Sequence, residues 1–182
     1  MKLPKFRLRS PILKSLLRLY LAFAGLLLLF VVLFNNKIFY WHVNVPFTSF
    51  IVLASSFLIN LFGGTSFVDG THLSTAAFGI NVVDGCNGIY ATAILLAGIL
   101  AYPAKWNHKL LGVLIGFAAI FVVNLLRVIS LLYLGQYFPD LFKEIHIFVW
   151  QPIIIIWAIF VWYLWWSRIE GGRSRVQDRK AR

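Results

Sequence analysis

Four runs of this chain, residues 16–34, 86–102, 110–134 and 148–166, have the length and near absence of charge of helices crossing a hydrocarbon core, which takes about 20 residues. Within hydrocarbon a single segment must satisfy its backbone groups internally, so such runs have little choice but helix. Their ends are marked in the sequence. The second stops at Pro103, the third at Gly135 ahead of Pro139, and the fourth carries Pro152 in its first turns, where proline is tolerated. Trp162, Tyr163, Trp165 and Trp166, just before Arg168, form an interfacial aromatic belt. With 60% hydrophobic residues, 13% charged residues and a mean hydropathy of +0.83, the chain has too little polar surface to coat a soluble globule.

The formal net charge of +11 is not spread over a face. Lys2, Lys5, Arg7, Arg9, Lys14 and Arg18 crowd one end, and Arg168, Arg173, Arg175, Arg179, Lys180 and Arg182 the other. Basic clusters flanking apolar spans are topology signals that favour anionic membrane lipid over nucleic acid as the partner. No small-residue cleavage pattern follows Phe34, so the basic start and its apolar run read as a retained first span rather than a secretory signal. A fifth apolar stretch, 47–62, contains Ser49, Ser55, Ser56 and Asn60. If it crossed, the count would be odd and one basic tail would lie outside. We therefore expect about four transmembrane helices plus an interfacial or re-entrant segment, with both tails and the loop 105–109 on the cytoplasmic side. Asp69-Gly70 between partly alternating residues predicts a small β-hairpin on the outer face. The expected class is an all-α integral membrane protein, a polytopic helical bundle. Its expected organisation is one membrane-embedded domain over 1–167, with an extracytoplasmic region at about 35–85, and a short disordered basic cytoplasmic tail over 168–182.

Cys86 is the only cysteine, so no intramolecular disulfide forms and the thiol is free to react. It opens the second apolar run, Arg127 lies within the third, and His146 stands just ahead of the fourth. Taken singly, each has an ordinary explanation: a small apolar filler, an interfacial cation or ion-pair partner of Glu144 or Asp140, a satisfied polar residue. The expected topology, however, brings all three to the outer face, with Arg127 about 25 Å up a helix that rises 1.5 Å per residue. A thiol at a helix N-terminus beside a cation is expected to have a lowered pKa. His146 would take the thiol proton and return it to the leaving amine, and Arg127 would donate to the oxyanion. Asn124, one turn before Arg127, is placed to orient the guanidinium or to donate a hydrogen bond itself. Asn87 or Asp84 is placed to cap the turn, although a charged Asp84 would oppose the thiol's shift.

His42, His72 and His108 have no zinc-site spacing and no HExxH is present, so neither metal nor cofactor is expected. Gly112 and Gly116, spaced as GxxxG, read as close helix packing. Two classes of function fit these residues. One is an acyl-transfer enzyme; the other is a non-enzymatic membrane binder or small transporter that holds an anionic ligand or lipid headgroup on Arg127. A serine intramembrane protease is disfavoured by the lack of a GxSG-like motif.

Asp84-Gly85-Cys86-Asn87-Gly88-Ile89, Asn124-Leu125-Leu126-Arg127-Val128 and His146 ahead of the last apolar run resemble the Cys, Arg and His signatures of the exosortase/archaeosortase family. The resemblance covers 46–166. Pro46-Phe47-Thr48, Tyr133-Leu134-Gly135-Gln136 and Trp150-Gln151 look most like a short exosortase H. It implies a multi-pass enzyme of the bacterial inner membrane, with its active site facing the periplasm. Such an enzyme is a cysteine protease and transpeptidase that cleaves C-terminal sorting signals of membrane-anchored exported proteins through a Cys thioester and transfers them to an acceptor. The implied partners are substrate proteins with a recognition motif, one transmembrane helix and a basic tail. In that family Cys86 would be the nucleophile, Arg127 the activating or oxyanion-stabilising group, and His146 the general base or acid. Many relatives carry more spans, so this chain has the size of a minimal catalytic unit.

Overall fold

In the computed structural model, which describes residues 10–180, the apolar runs are helices. The order is α1 (Ser10–Phe34), a single turn α2 (Lys37–Phe39), a π-helix (Tyr40–Asn44), α3 (Val45–Leu61), strands β1 (Phe67–Asp69), β2 (His72–Ser74) and β3 (Gly79–Asn81), then α4 (Ile89–Ala101) and α5 (Trp106–Tyr137). A 3-10 turn (Pro139–Leu141), the turn α6 (Phe142–Glu144) and a second π-helix (Ile145–Trp150) lead into α7 (Gln151–Lys180). Of the basic ends, Lys2, Lys5, Arg7, Arg9 and Arg182 lie outside the described residues.

Pairs of contacts fix the helix directions. Gly88 faces Asn124 and Ile120, whereas Gly116 faces Leu95 and Ile99, so α4 and α5 are antiparallel. Arg127 meets Gln151, and Trp165 Nε1 donates to the His108 carbonyl, so α7 is also antiparallel to α5. Phe34 packs edge-on to Tyr90, with Leu19 and Tyr20 beside Gly98 and Ala101, which makes α1 antiparallel to α4. Phe47 on Phe117, Phe50 on Phe121 and the Tyr133 hydroxyl beside Gly64 make α3 parallel to α5. Thus α1 and α3 run in one sense, α4 returns, α5 ascends and α7 descends. The parity argued from the basic clusters, with both ends on one side, agrees with these directions.

The identity of the long helices differs from expectation. Four helical stretches are long and apolar enough to cross a membrane: Leu13–Phe34, Lys37–Leu61, Trp106–Tyr137 and Pro139–Gly172. Of the interfacial and re-entrant expectations for 47–62, the re-entrant one is corrected, because α3 is uninterrupted helix as far as Leu61. Two of its polar residues turn inward: Ser55 and Ser56 are buried, and Ser56 Oγ lies 2.8 Å from Ser66 Oγ; the exposed Asn60 accepts from the Ser66 N–H through Oδ1. Conversely, the run 86–102 yields only 13 helical residues, a rise of about 20 Å against a core of about 30 Å. The expected disordered tail is also corrected, because α7 runs on to Lys180; extending an existing helix costs far less than nucleating one.

The β element has three strands in the order β1-β2-β3, all antiparallel. The expected hairpin is present, with Asp69 paired to His72. Its central residues are Gly70 and Thr71, and Gly70 at φ 59 fits the first position of a type II′ turn. β3 carried no signal because three residues cannot display an alternation.

Two apolar cores stack along the bundle. Leu95, Ile99, Ile120 and Ala158 belong to one, between α4, α5 and α7. Ile51, Val52, Leu73 and Leu132 belong to the other, between α3, the sheet and the last turns of α5. Gly112 lies against Trp165 of α7 and Gly116 against Leu95 of α4, so the GxxxG pair serves two neighbouring helices. Cys86 packs onto the second core while Ala91, a turn further on, enters the first. The loop between them lies at the seam.

Candidate active site

After β3 the chain turns back on itself, the Cys86 N–H donating to the Val83 carbonyl at 2.7 Å. Gly88, at φ 75, closes the turn. A side chain there would be strained, and its Cβ would stand 3.3 Å from Asn124 Cγ. Asn87 Oδ1 then accepts from the Ile89 N–H at 3.0 Å, satisfying an orphan donor of the first turn of α4. Asp84 makes no such bond in the first turn of α4; the cap is Asn87's alone.

The amide of Asn87 also donates to Asn44 Oδ1 and to Thr48 Oγ1, and the Thr48 hydroxyl donates to the Asn44 carbonyl. All three side chains are buried, so this network ties the Cys86 loop to Asn44 and α3. Asn44 and Thr48 were not among the expected site residues. Their signal was a polar pair flanking Pro46 in an otherwise apolar stretch.

Cys86, Arg127 and His146 do converge. Cys86 Sγ lies 2.8 Å from His146 Nε2, and Arg127 Nη2 lies 3.7 Å from the same sulfur. His146 sits on the π-helix Ile145–Trp150, its ring 6.0 Å from that of Phe142, which in turn lies 6.0 Å from Phe78. Phe78 fits over Gly135, where a side chain would collide with it. Arg127 is 2% exposed, its Nε has no partner, and Nη2 donates to Gln151 Oε1 at 3.2 Å. Among the described residues it has no carboxylate partner, so the pairing with Glu144 or Asp140 is not formed. A buried guanidinium held only by a neutral acceptor is costly unless an anion forms beside it. Lysine lacks the planar fork, so Arg127→Lys is expected to lower turnover of a processed substrate by about a hundredfold, the usual loss for an oxyanion donor. Wild-type turnover in that variant would show that no fixed donor is needed.

Asn124 does not orient the guanidinium, the first of the two roles its spacing suggested. Its carboxamide is fully buried against Gly88, both amide atoms lack partners, and it makes no bond to Arg127. Helical spacing put it on the right face, but close packing against the nucleophile loop set its direction.

The thiol pKa also departs from expectation. Burial raises it above the ordinary cysteine value; Arg127 and the bond to Val83 pull it down without winning, and Asp84 raises it further. Cys86 also precedes the first helical residue, Ile89, by three positions, outside the turn where the helix dipole acts strongly. Burial thus outweighs the neighbouring cation at a sulfur that stands 2.8 Å from the imidazole. Alkylation of Cys86 in membranes is expected to be slower than that of a free thiol at neutral pH and to rise steadily as the medium is made alkaline. Faster labelling than a free thiol at pH about 7 would contradict this.

A bundle of membrane-length helices that brings an imidazole and a buried guanidinium to one thiol defines a polytopic helical membrane protein with these three groups gathered at the entrance to one helix. The chain belongs to the transmembrane exosortase family (Exosortase_EpsH), which matches residues 14–163 and so takes in all of these groups. No curated protein and no solved structure matches it.

Proposed function

We propose that this exosortase is a cysteine peptidase and transpeptidase that opens the C-terminal sorting signal of membrane-anchored exported proteins. The observation that carries the reading is the contact of Cys86 Sγ with His146 Nε2 at 2.8 Å, beside a guanidinium that has no anionic partner. A binding protein would need the cation but not the thiol–imidazole contact. In the reaction His146 Nε2 takes the thiol proton as Sγ attacks the scissile carbonyl, and Arg127 Nη2 stabilises the oxyanion. The C–N bond then breaks, His146 passes its proton to the leaving amine, and a thioester to Cys86 remains. An acceptor amine or water attacks that thioester, regenerating the thiol.

The substrate class follows from the same reading: a protein with a recognition motif, one transmembrane helix and a basic tail. We place the enzyme in the bacterial inner membrane, both termini cytoplasmic and the site facing the periplasm. The aromatic belt supports this orientation: Trp165 Nε1 donates to the His108 carbonyl in the first turn of α5, beside Lys105 and Lys109. Arg127 lies 21 residues beyond Trp106, about 32 Å along the helix and near the far edge of a hydrocarbon core. Reporter fusions should find both termini inside; a periplasmic C-terminus would overturn the orientation. The reaction is tested by co-expressing candidate tailed proteins and analysing Cys86 by mass spectrometry. The expected product is an adduct whose mass equals the substrate without its terminal helix. Intact substrates and an unmodified thiol across the panel would refute the reading.

A further inference from the structure

We propose that Gln151 is a positioning residue for Arg127, and that the π-helix Ile145–Trp150 is what lets Gln151 and His146 face the same thiol. This rests on the enzymatic reading above in assigning the site a reaction, but its geometry stands alone. His146 and Gln151 are five positions apart. In an α-helix, at 3.6 residues per turn, such a pair points about 140° apart. A π-helix closes i→i+5 hydrogen bonds, so residues five apart lie much nearer to one face. Both side chains then reach the centre from one face: His146 Nε2 to Cys86 Sγ at 2.8 Å, and Gln151 Oε1 to Arg127 Nη2 at 3.2 Å.

The sequence cause is Pro152. Proline brings no N–H, and its ring collides with the carbonyl four residues back, here that of Phe148, so the helix widens to clear it. The chain shows the same device twice. The first π-helix, Tyr40–Asn44, also ends two residues before a proline, Pro46, and its last residue, Asn44, holds Asn87 beside the nucleophile. Each widened turn thus delivers a neutral amide to the centre.

The neutrality of Gln151 has a purpose. Arg127 Nη2 is shared between Gln151 Oε1 and Cys86 Sγ. A carboxylate there would hold the guanidinium equally well but cancel the charge that a thiolate or oxyanion needs. The charged and titratable groups acting on Cys86 are Arg127 from α5, His146 from the π-helix and Asp84 in its own loop. The bland alternative is that Gln151 is an interfacial polar residue free to turn to water.

The test compares Gln151→Glu and Gln151→Ala with the intact chain in membranes, reading the pH profile of Cys86 alkylation and the processing of a tailed substrate, each per inserted molecule. Gln151→Glu keeps the acceptor but adds opposing charge, so alkylation at neutral pH should fall about tenfold, one unit in the thiol midpoint. Gln151→Ala adds no charge, so it should move that midpoint far less than Gln151→Glu does and still lower processing by about ten- to a hundredfold, because the donor is no longer held in one position. A wild-type alkylation profile in Gln151→Glu, or full processing by Gln151→Ala, overturns the assignment. Alkylation needs no substrate. If the intact chain processes nothing yet Gln151→Glu shifts the profile, the positioning role stands and the proposed reaction fails.

Discussion

Replacing Cys86 by serine should abolish substrate processing while leaving the protein folded and inserted. The exchange removes almost no volume, and the loop does not depend on sulfur for its shape. The Val83 turn, the Gly88 conformation and the Asn87–Asn44–Thr48 network all remain. What changes is the nucleophile. A hydroxyl in surroundings arranged for a thiol is far harder to deprotonate, and a hydrogen bond to one imidazole does not make up the difference. The check is processing of a tailed substrate alongside insertion of the variant. Cleavage at the wild-type rate would remove Cys86 from the chemistry and move Arg127 to the ligand-binding reading.

His146→Ala is the second large effect, a fall in turnover of about two to four orders of magnitude, the usual worth of general acid–base catalysis. Burial raises the pKa of the thiol, which makes the variant depend more on an external base. Deprotonation must accompany attack, and His146 is the base in contact with the sulfur. The variant's residual activity should climb with pH as hydroxide replaces the imidazole, whereas alkylation of Cys86 should persist. Turnover that is unchanged in His146→Ala at neutral pH would assign the proton to another group.

Membrane-length apolar runs, two basic ends and a solitary cysteine with an arginine and a histidine were all legible in the chain, and they led to the helical bundle and to the three residues that meet. The details that failed share a cause. Whether 47–62 is helix, where α4 begins and where Asn124 points are decided by contacts remote in sequence. Ser56 finds Ser66, and Gly88 leans on Asn124. The thiol's pKa was misjudged because charge and helix position can be read from a sequence but burial cannot. Gln151 went unnoticed as a site residue for a geometric reason: at α-helical spacing it would face away from His146, and only the widened turn before Pro152 reverses that.

The shortness of α4 has a consequence for the lipid around it. Its 13 residues rise about 20 Å, roughly 10 Å less than the hydrocarbon thickness. A bilayer meets a short helix by thinning, and headgroups and water follow the surface inward. The nucleophile loop at the entrance to α4 would then be wetted from above without any channel through the protein. On the proposed reaction, an acyl group on Cys86 would be open to a water-borne acceptor, while the apolar remainder of a substrate would stay dissolved in the membrane alongside.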